Sequence, residues 1–452
     1  MSFLLIKGGF MKLSVRIASI ILSGLFLATG VANATGWEEI SLEGLVNGSG
    51  KLLDRSGNVI KDQGQQALVP SCASELFGPF RFFVQTGVSS KLLILHDGGG
   101  ACWEAKTCSA PFDVLPPPNG IYDRTVSEFV DEEGDFFFAS GTPAGGILDS
   151  TSSDNPFKDW TKVFIPYCTG DVGWGNQDTR YAYPSINRPK GQPFFTVHHR
   201  GYANIRAVLR WVEDRYSGQT PSKIMIAGTS AGAYAAPLVI LPEVKKLFPS
   251  VQDTYVIADS GNGIVTDQFI SDAKANWGLD RTLPDYLQEV FAQGANGLPV
   301  RLYGQLAVRY PTTRFGQFQN AYDGIQTVIY NIMKNIDNPA LWNDSGALLA
   351  SLIEWSASAR LAVNLSAWAL NYRFYTAAGT EHLVLVNVPP GAGFCSDNFD
   401  TESSAGGLLF RDWVNDMVNK PFLGSTGNWR NATCFPNCLQ PPQPNCQLSV
   451  TP

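Results

Sequence analysis

Short apolar runs recur along the chain, and stretches with helical spacing separate several of them. The runs rich in β-branched and aromatic residues, which are typical of strands, cover residues 80–84, 91–95, 162–167, 223–227, 254–258 and 372–376, and residues 314–322 also favour a strand. Apolar residues at helical spacing predict helices over 201–216, 349–370 and 408–418. The first two runs are separated by a short turn-like segment and are expected to pair as a hairpin. Strands that alternate with helices indicate an α/β domain with a mostly parallel sheet.

One of these strands runs directly into a serine flanked by glycines. Residues 223–227 are followed by Gly-Thr-Ser-Ala-Gly at 228–232 and then by an apolar stretch compatible with a helix. This order is typical of a nucleophile elbow, in which Ser230 takes a strained backbone position and Gly228 and Gly232 leave room for the neighbouring backbone. The pentapeptide alone arises by chance about 0.3 times in such a chain. The strand and helix around it therefore support Ser230 as the nucleophile.

A second strand, residues 91–95, runs into His96, Asp97 and three consecutive glycines at 98–100. Glycines directly after a buried strand let the backbone approach another group closely. Their N–H groups, with the N–H of Ala231, could form an oxyanion hole, and a plain glycine turn is the alternative. Cys102 and Cys108 enclose a loop short enough for a disulfide, which would stabilise the fold by about 2 kcal/mol and hold the glycine loop in place.

Two tryptophans are candidates for contact with a substrate. Trp103 follows the glycine loop, and Trp174 lies just beyond the strand at 162–167, where pockets form in open α/β sheets. Trp174 could stack on a sugar or an acyl chain, and a position in the core is the alternative. Residues from about 265 to 310 have a helical and loop-like pattern and are expected to form a helical cap over the pocket.

The positions of the four histidines restrict the choice of general base. His96, His198 and His199 precede Ser230, so His382 is the histidine that follows it, directly after a predicted strand. Strand, serine elbow, acid and histidine in this order are typical of an α/β-hydrolase-like fold, with helices on both faces of the sheet. We expect His96 to be hydrogen-bonded beneath the glycine loop, and the His198–His199 pair to form a solvated start of a helix.

The acid that orients His382 has more than one candidate. Asp323 follows a β-leaning run and precedes the histidine strand, which is the usual place for the acid in this fold. Asp259 ends the strand after the elbow helix and could present its carboxylate at the same edge of the sheet. A turn carboxylate that accepts backbone N–H groups is the alternative role for Asp259. Asp344 is a more distant candidate, and Asp323 is the preferred one.

The N-terminus has the composition of an export signal. Basic residues precede the apolar run 17–27, and small residues follow it at 32–34, so residues 1–34 are predicted to be a signal peptide, with a membrane anchor as the alternative. An α/β-hydrolase domain over 35–435 and a Pro- and Cys-rich tail over 436–452 would follow. The even number of cysteines, 8, suits disulfides in a secreted or periplasmic protein.

The charge balance and the scarcity of histidine exclude some partners. The chain has 33 basic and 40 acidic side chains, and removal of three basic residues with the signal leaves 30 − 40 = −10. This balance disfavours nucleic acid, and it disfavours an anionic membrane once the signal is cleaved. The cysteines form no paired C-x-x-C motifs, so neither a zinc site nor another metal cofactor is expected.

An ordered set of motifs resembles the family of secreted carboxylesterases that contains the pectin acetylesterases and Notum. The motifs are Asp-Gly-Gly-Gly-Ala-Cys-Trp at 97–103, Tyr-Cys-Thr-Gly-Asp at 167–171, Gly-Thr-Ser-Ala-Gly at 228–232, Ala-Asp-Ser-Gly at 258–261, Tyr-Asp-Gly-Ile-Gln at 322–326 and Gly-Thr-Glu-His at 379–382. The resemblance spans about residues 72–418. It implies hydrolysis of an O-acyl ester through an acyl-serine, without a metal or another cofactor.

The resemblance also implies roles for individual residues. The catalytic triad of the family corresponds to Ser230, Asp323 and His382. Its oxyanion donors correspond to Gly99, Gly100 and Ala231. The resemblance also implies a disulfide between Cys72 and Cys168. Other members place an aromatic residue after the paired glycines, where this chain has Gly100 and Ala101. The small residues predict cleavage of acetyl to butyryl esters in preference to long acyl esters.

Several functions are compatible with these features. The first is a secreted serine esterase that removes acetyl or other short acyl groups from a polysaccharide such as pectin, or from a small ester. The second is a deacylase for lipid or protein O-acyl esters, as in the Notum branch, which a deep apolar pocket would favour. A lipase or peptidase, and an inactive hydrolase fold used for binding, are the remaining alternatives.

Overall fold

The computed structural model describes residues 36–74, 78–109, 145–184, 191, 193–387, 396–421 and 426–439. The strands in these ranges are β1 (Trp37–Ile40), β2 (Phe82–Gln85), β3 (Lys91–His96), β4 (Thr161–Ile165), β5 (Gln177–Ala182), β6 (Phe194–His199), β7 (Lys223–Thr229), β8 (Thr254–Asp259), β9 (Thr313–Asn320), β10 (Tyr372–Ala377) and β11 (Ala432–Thr433). The predicted signal segment and most of the predicted C-terminal tail lie outside the described residues.

The helices surround these strands. They are α1 (Ala105–Ser109), α2 (Gly201–Arg215), α3 (Ala231–Ala235), α4 (Leu241–Leu247), α5 (Asp267–Trp277), α6 (Leu279–Thr282), α7 (Asp285–Phe291), α8 (Gly294–Arg309), α9 (Gly324–Lys334), α10 (Ser345–Ser366) and α11 (Phe410–Asn419). A π-helical turn, Ala236–Ile240, joins α3 to α4. None of the helices within the described ranges has the length and hydropathy needed to cross a membrane.

The central sheet has the strand order β1-β2-β4-β3-β7-β8-β9-β10-β11. All neighbours from β4 to β11 pair in parallel, whereas β1 and β2 form an antiparallel edge. The predicted mostly parallel sheet is therefore confirmed, and the chain has an α/β-hydrolase-like fold.

The predicted hairpin between the first two apolar runs is wrong. Strand β2 pairs antiparallel with β4, and β3 pairs parallel with β4 on its other edge, so β4 separates them. The five residues that join β2 to β3 are long enough to cross β4, because two strand spacings amount to about 10 Å. A parallel position next to β4 and β7 also buries both faces of β3, which suits its continuous apolar sequence.

Alternate side chains of the central strands enter two separate cores. Leu92 and Ile94 of β3 belong to the larger core, which also contains residues of α2, α3, α4, α5 and α8. Leu93 and Leu95 belong to the core on the opposite face, together with residues of α11. This alternation follows from the two-residue period of a strand, and it confirms the prediction of helices on both faces.

A second, two-stranded sheet was not predicted. Strands β5 and β6 pair antiparallel and lie between β4 and α2 in the sequence. The last residue of β6 is His199, which is fully buried. The prediction that His199 belongs to a solvated helix start is therefore wrong, since α2 begins only at Gly201, after the strand has ended.

Candidate active site

Ser230 lies at a sharp turn between β7 and α3. Its backbone has φ 48° and ψ −115°, a conformation that L-residues rarely adopt. A Cβ atom on Gly228 would overlap the carbonyl oxygen of Gly232, and one on Gly232 would overlap the carbonyl oxygen of His96. The turn therefore needs glycine on both sides of the serine, which is the physical reason for the sequence pattern.

His382 follows β10 and is held by a buried aspartate. Its Nδ1 lies 3.0 Å from Oδ1 and 2.9 Å from Oδ2 of Asp323. Asp323 is the N-cap of α9, and it accepts the backbone N–H of Gln326 at 2.9 Å and the side-chain amide of Gln326 at 2.9 Å. These donors at the N-terminus of α9 fix the orientation of the carboxylate beside Nδ1 of His382.

Gln326 contributes to the site, although the motif at 322–326 that contains it predicted no role for this residue. The signal was present, because an aspartate followed by glutamine three residues later has the spacing of a capping box. Here the glutamine side chain turns to the capping carboxylate itself. Its amide is one of three donors to the Asp323 carboxylate, beside its own backbone N–H and Nδ1 of His382, and its side chain lines the neighbouring cavity.

Asp259, the rival acid, contacts the backbone beyond His382 and not its ring nitrogen Nδ1. Its Oδ2 accepts the N–H groups of Val384 at 2.9 Å and Leu385 at 2.8 Å. Burial raises the pKa of Asp259 to about 7, although these two donors and His382 act in the opposite direction. The carboxylate thus fixes the segment that follows His382, in the manner of a turn carboxylate.

A cavity of about 590 Å³, including its opening to solvent, adjoins these residues. Ser230, Ala231, Gly100 and His382 contribute to its wall. Most of the remaining wall is apolar and includes Ile264, Phe269, Ile325, Ile329, Met333 and Trp355. The predicted cap therefore contributes through α5, whereas α9 and α10, outside the predicted cap range, supply much of the wall.

The two candidate tryptophans are both 1% exposed and belong to the larger core, and they differ in their relation to the cavity. Trp174 lines the cavity and packs edge-on against Tyr234 and Phe291, with ring centroids 5.8 and 5.3 Å away. Trp103 packs edge-on against Phe269 at 5.2 Å and is not among the residues that line the cavity. The structure thus brings Trp174 to the site as a core residue with one face at the cavity, and it does not bring Trp103 there.

The glycine loop is tied down at its end. Gly99 has φ 142° and Gly100 has φ 74°, so both use backbone conformations open mainly to glycine. The structure joins Cys102 to Cys108, and the N–H of Cys102 donates to the carbonyl oxygen of Gly170 at 2.8 Å. It also joins Cys72 to Cys168, the pair implied by the family resemblance. Gly100 reaches the cavity wall, and Gly99 lies one residue before it.

Two of the other three histidines, His96 and His199, are buried, whereas His198 lies partly exposed in β6, not at a helix start, with its Nδ1 2.8 Å from Oδ1 of Asp178. His96 donates from Nδ1 to the carbonyl oxygen of Asp97 at 2.8 Å, and burial lowers its pKa to about 4. His199 donates from Nδ1 to the carbonyl oxygen of Thr169 at 3.1 Å and accepts the Tyr181 hydroxyl at 2.9 Å, and burial lowers its pKa to about 3. Both rings are therefore neutral and fixed within the fold at neutral pH.

One group of potential metal ligands occurs in the described ranges, formed by Cys102, Cys108 and His199. The two sulfur atoms are bonded to each other, so neither is available as a thiolate ligand. The histidine ring already uses both nitrogens in hydrogen bonds. These three residues therefore have structural contacts and do not fit a metal ion.

Comparison with known proteins relates the chain to esterases. It is 34% identical over 93 residues to the palmitoleoyl-protein carboxylesterase NOTUM of Schmidtea mediterranea, a match that covers 20% of this chain and 15% of that protein. It is 24% identical over 194 residues to the palmitoleoyl-protein carboxylesterase notum2 of Xenopus laevis, which covers 42% and 33% of the two chains. The matches thus span a third or less of these curated relatives.

A solved structure of the Wnt deacylase Notum from Drosophila aligns with a TM-score of 0.48 and 18% identity, over 74% of this chain and 86% of that chain. The family model described as Pectinacetylesterase matches residues 81–352, which is more than half of the chain. The matched region includes the glycine loop, the serine elbow and Asp323. The chain belongs to the pectinacetylesterase family.

Proposed function

We propose that the protein is a serine carboxylesterase that hydrolyses O-acyl esters, with Ser230 as nucleophile and His382 as general base. The observation that carries this proposal is that Ser230 and His382 line one cavity, while a buried carboxylate, that of Asp323, holds Nδ1 of His382. A serine and an oriented imidazole that face the same cavity are the groups that acyl transfer requires.

In the proposed reaction, Nε2 of His382 takes the proton of the Ser230 hydroxyl as its oxygen attacks the ester carbonyl. The N–H groups of Gly99, Gly100 and Ala231 stabilise the oxyanion, and Asp323 stabilises the imidazolium. Collapse of the tetrahedral intermediate breaks the ester C–O bond, and His382 returns the proton to the leaving alcohol. Water then attacks the acyl-serine by the same steps and releases the carboxylic acid.

The family description supports acetyl esters on a polysaccharide such as pectin as the first candidate substrate. Gly100 and Ala101 add little bulk at the cavity wall, which is compatible with this small acyl group. The composition of the cavity favours a second candidate, a lipid or protein ester with a longer acyl chain. A longer acyl chain would bury more methylene groups against the apolar wall formed by α5, α9 and α10. Each buried methylene group contributes about 0.8 kcal/mol of binding free energy.

We further propose that the protein acts outside the cytoplasm. The basic and apolar pattern of residues 1–34 supports export. The disulfides Cys72–Cys168, Cys102–Cys108 and Cys434–Cys438 support an oxidising compartment.

The mechanism is tested by labelling and by substitution of Ser230. A fluorophosphonate should label Ser230 alone, and Ser230→Ala should lose ester hydrolysis while the melting temperature stays near that of the wild type. Labelling at another serine, or full activity of Ser230→Ala, would contradict the mechanism.

The substrate class is tested with nitrophenyl esters from acetyl to palmitoyl. The highest kcat/KM for acetyl to butyryl esters would support the first candidate. An optimum at eight carbons or more would support the second candidate.

A further inference from the structure

The two residues at the end of β8 contact both elements of the proposed catalytic pair. The carbonyl oxygen of Asp259 accepts the N–H of Ser230 at 2.8 Å. The hydroxyl of Ser260 contacts the carbonyl oxygen of His382 as a hydrogen-bond donor. The dipeptide is therefore bonded to the backbone of the nucleophile on one side and of the base on the other.

The side chain of Asp259 extends the second set of contacts. Its Oδ2 accepts the N–H groups of Val384 and Leu385, so the chain is held at residues 382, 384 and 385. The Ser260 hydroxyl also lies 3.2 Å from Oδ1 of Asp259. Its single proton can go to either oxygen, and both partners keep the hydroxyl between Asp259 and His382.

The strand order explains why such a connection is needed. Ser230 follows β7 and His382 follows β10, and β8 and β9 lie between these two strands. The sheet does not pair the strand of the nucleophile with the strand of the base. Their relative position depends on contacts between loops at the edge of the sheet, and the end of β8 supplies contacts to both.

The backbone of Ser260 indicates that its side chain is required. Ser260 has φ 63°, in the left-handed region that glycine adopts without strain. Glycine would therefore suit the turn better on backbone grounds alone. The hydroxyl contact to His382 is what serine adds at this position.

We infer that Asp259 and Ser260 are positioning residues that fix Ser230 relative to His382. The inference rests on the proposed serine mechanism. It assigns a role in turnover to a strand end that carries none of the reacting groups.

Replacement of Ser260 separates this role from a merely structural one. Ser260→Gly removes the hydroxyl and relieves the backbone strain, so we expect kcat to fall roughly 10-fold, as for the loss of one hydrogen bond, with KM little changed and the melting temperature equal or higher. Ser260→Ala removes the same hydroxyl and keeps the strain, and its kcat should fall by the same factor. Gln65, which is exposed, has φ 65° and does not line the cavity, provides the matched control, since Gln65→Gly relieves similar strain.

The expected set of results is a lower kcat in both Ser260 variants and an unchanged kcat in Gln65→Gly. Wild-type kcat in Ser260→Gly would overturn the inference, whether or not Ser260→Ala is impaired, because strain and not the hydroxyl would then be the cause. Ser230→Ala is measured on the same nitrophenyl ester. If it retains hydrolysis, the proposed function fails, whereas an inactive Ser230→Ala beside a fully active Ser260→Gly overturns the positioning role alone.

Discussion

Asp259 and Asp323 offer a direct comparison, because both are fully buried at the ends of neighbouring strands and both contact the His382 segment. Asp323 contacts the ring nitrogen of His382, and Asp259 contacts the backbone two and three residues later. The groups that surround the two carboxylates differ as well. Asp323 has the N-terminus of α9 and the amide of Gln326 as donors, whereas burial raises the pKa of Asp259 to about 7. The role of a strand-end carboxylate thus depends on which atoms the adjoining loop presents to it.

The largest expected difference concerns turnover after removal of each charge. Asp323→Asn should lower kcat by about 10⁴, because the amide no longer holds the imidazole in the required tautomer. Asp259→Asn keeps an oxygen that can accept the N–H groups of Val384 and Leu385. We expect its kcat to fall by no more than about 10-fold, with a shifted melting temperature as the main effect. Steady-state kinetics and thermal unfolding of both variants measure the contrast.

Circular dichroism of both variants controls for unfolding, and their KM values should stay close to that of the wild type. If Asp259→Asn lost turnover and Asp323→Asn only stability, Asp259 would be the triad acid. The roles proposed for Ser230 and His382 would stand in that case.

A smaller effect is expected from the residue that holds Asp323. Gln326→Met keeps the length and apolar body of the side chain but removes the amide that donates to Oδ2 at 2.9 Å. We expect kcat to fall by roughly 10-fold, which corresponds to the loss of one side-chain hydrogen bond. Met also preserves the cavity wall, so KM for short esters should change little.

Gln326→Glu sharpens this test, because it would place a second carboxylate against Asp323. Two adjacent carboxylates cannot both ionise easily, so one would retain a proton and the pH dependence of kcat would change. A pH profile identical to that of the wild type in Gln326→Glu would show that Gln326 does not act through Asp323.

Those features that depend on neighbouring residues in the sequence could be predicted. The elbow needs glycine at 228 and 232 for local steric reasons. The loop after β3 likewise needs glycine at 99 and 100 for its backbone conformation, so both features are visible in the sequence. The mostly parallel sheet followed from strands that alternate with helices, and the structure confirms it. In each case the residues that determine the conformation are only a few positions apart.

The features that could not be predicted depend on distant parts of the chain. Strands β2 and β3 do not pair with each other because β4, which comes about 65 residues later, inserts between them. Trp103 and Trp174 both follow strand ends and both pack in the larger core, and the tertiary packing alone determines that Trp174 also reaches the cavity. The contact between Ser260 and His382 joins residues 122 positions apart, and the type of neither residue predicts it.

The last expected effect concerns stability and its dependence on pH, and leaves turnover aside. The pKa of Asp259 is raised in the folded protein from 3.8 to about 7, so the folded state binds this proton more tightly than the unfolded state does. The contribution to the free energy of unfolding is full below pH ~4 and is lost as the pH rises through about 7, with a slope of at most about 1.4 kcal/mol per pH unit. Asp259→Asn cannot titrate, so its stability relative to the wild type should improve as the pH rises from 4.5 to 7.5. Urea unfolding of the two proteins across this range measures the difference and cancels the other titrating groups. Parallel stability curves would mean that Asp259 titrates alike in the folded and unfolded chains, and its contrast with Asp323 would then rest on geometry alone.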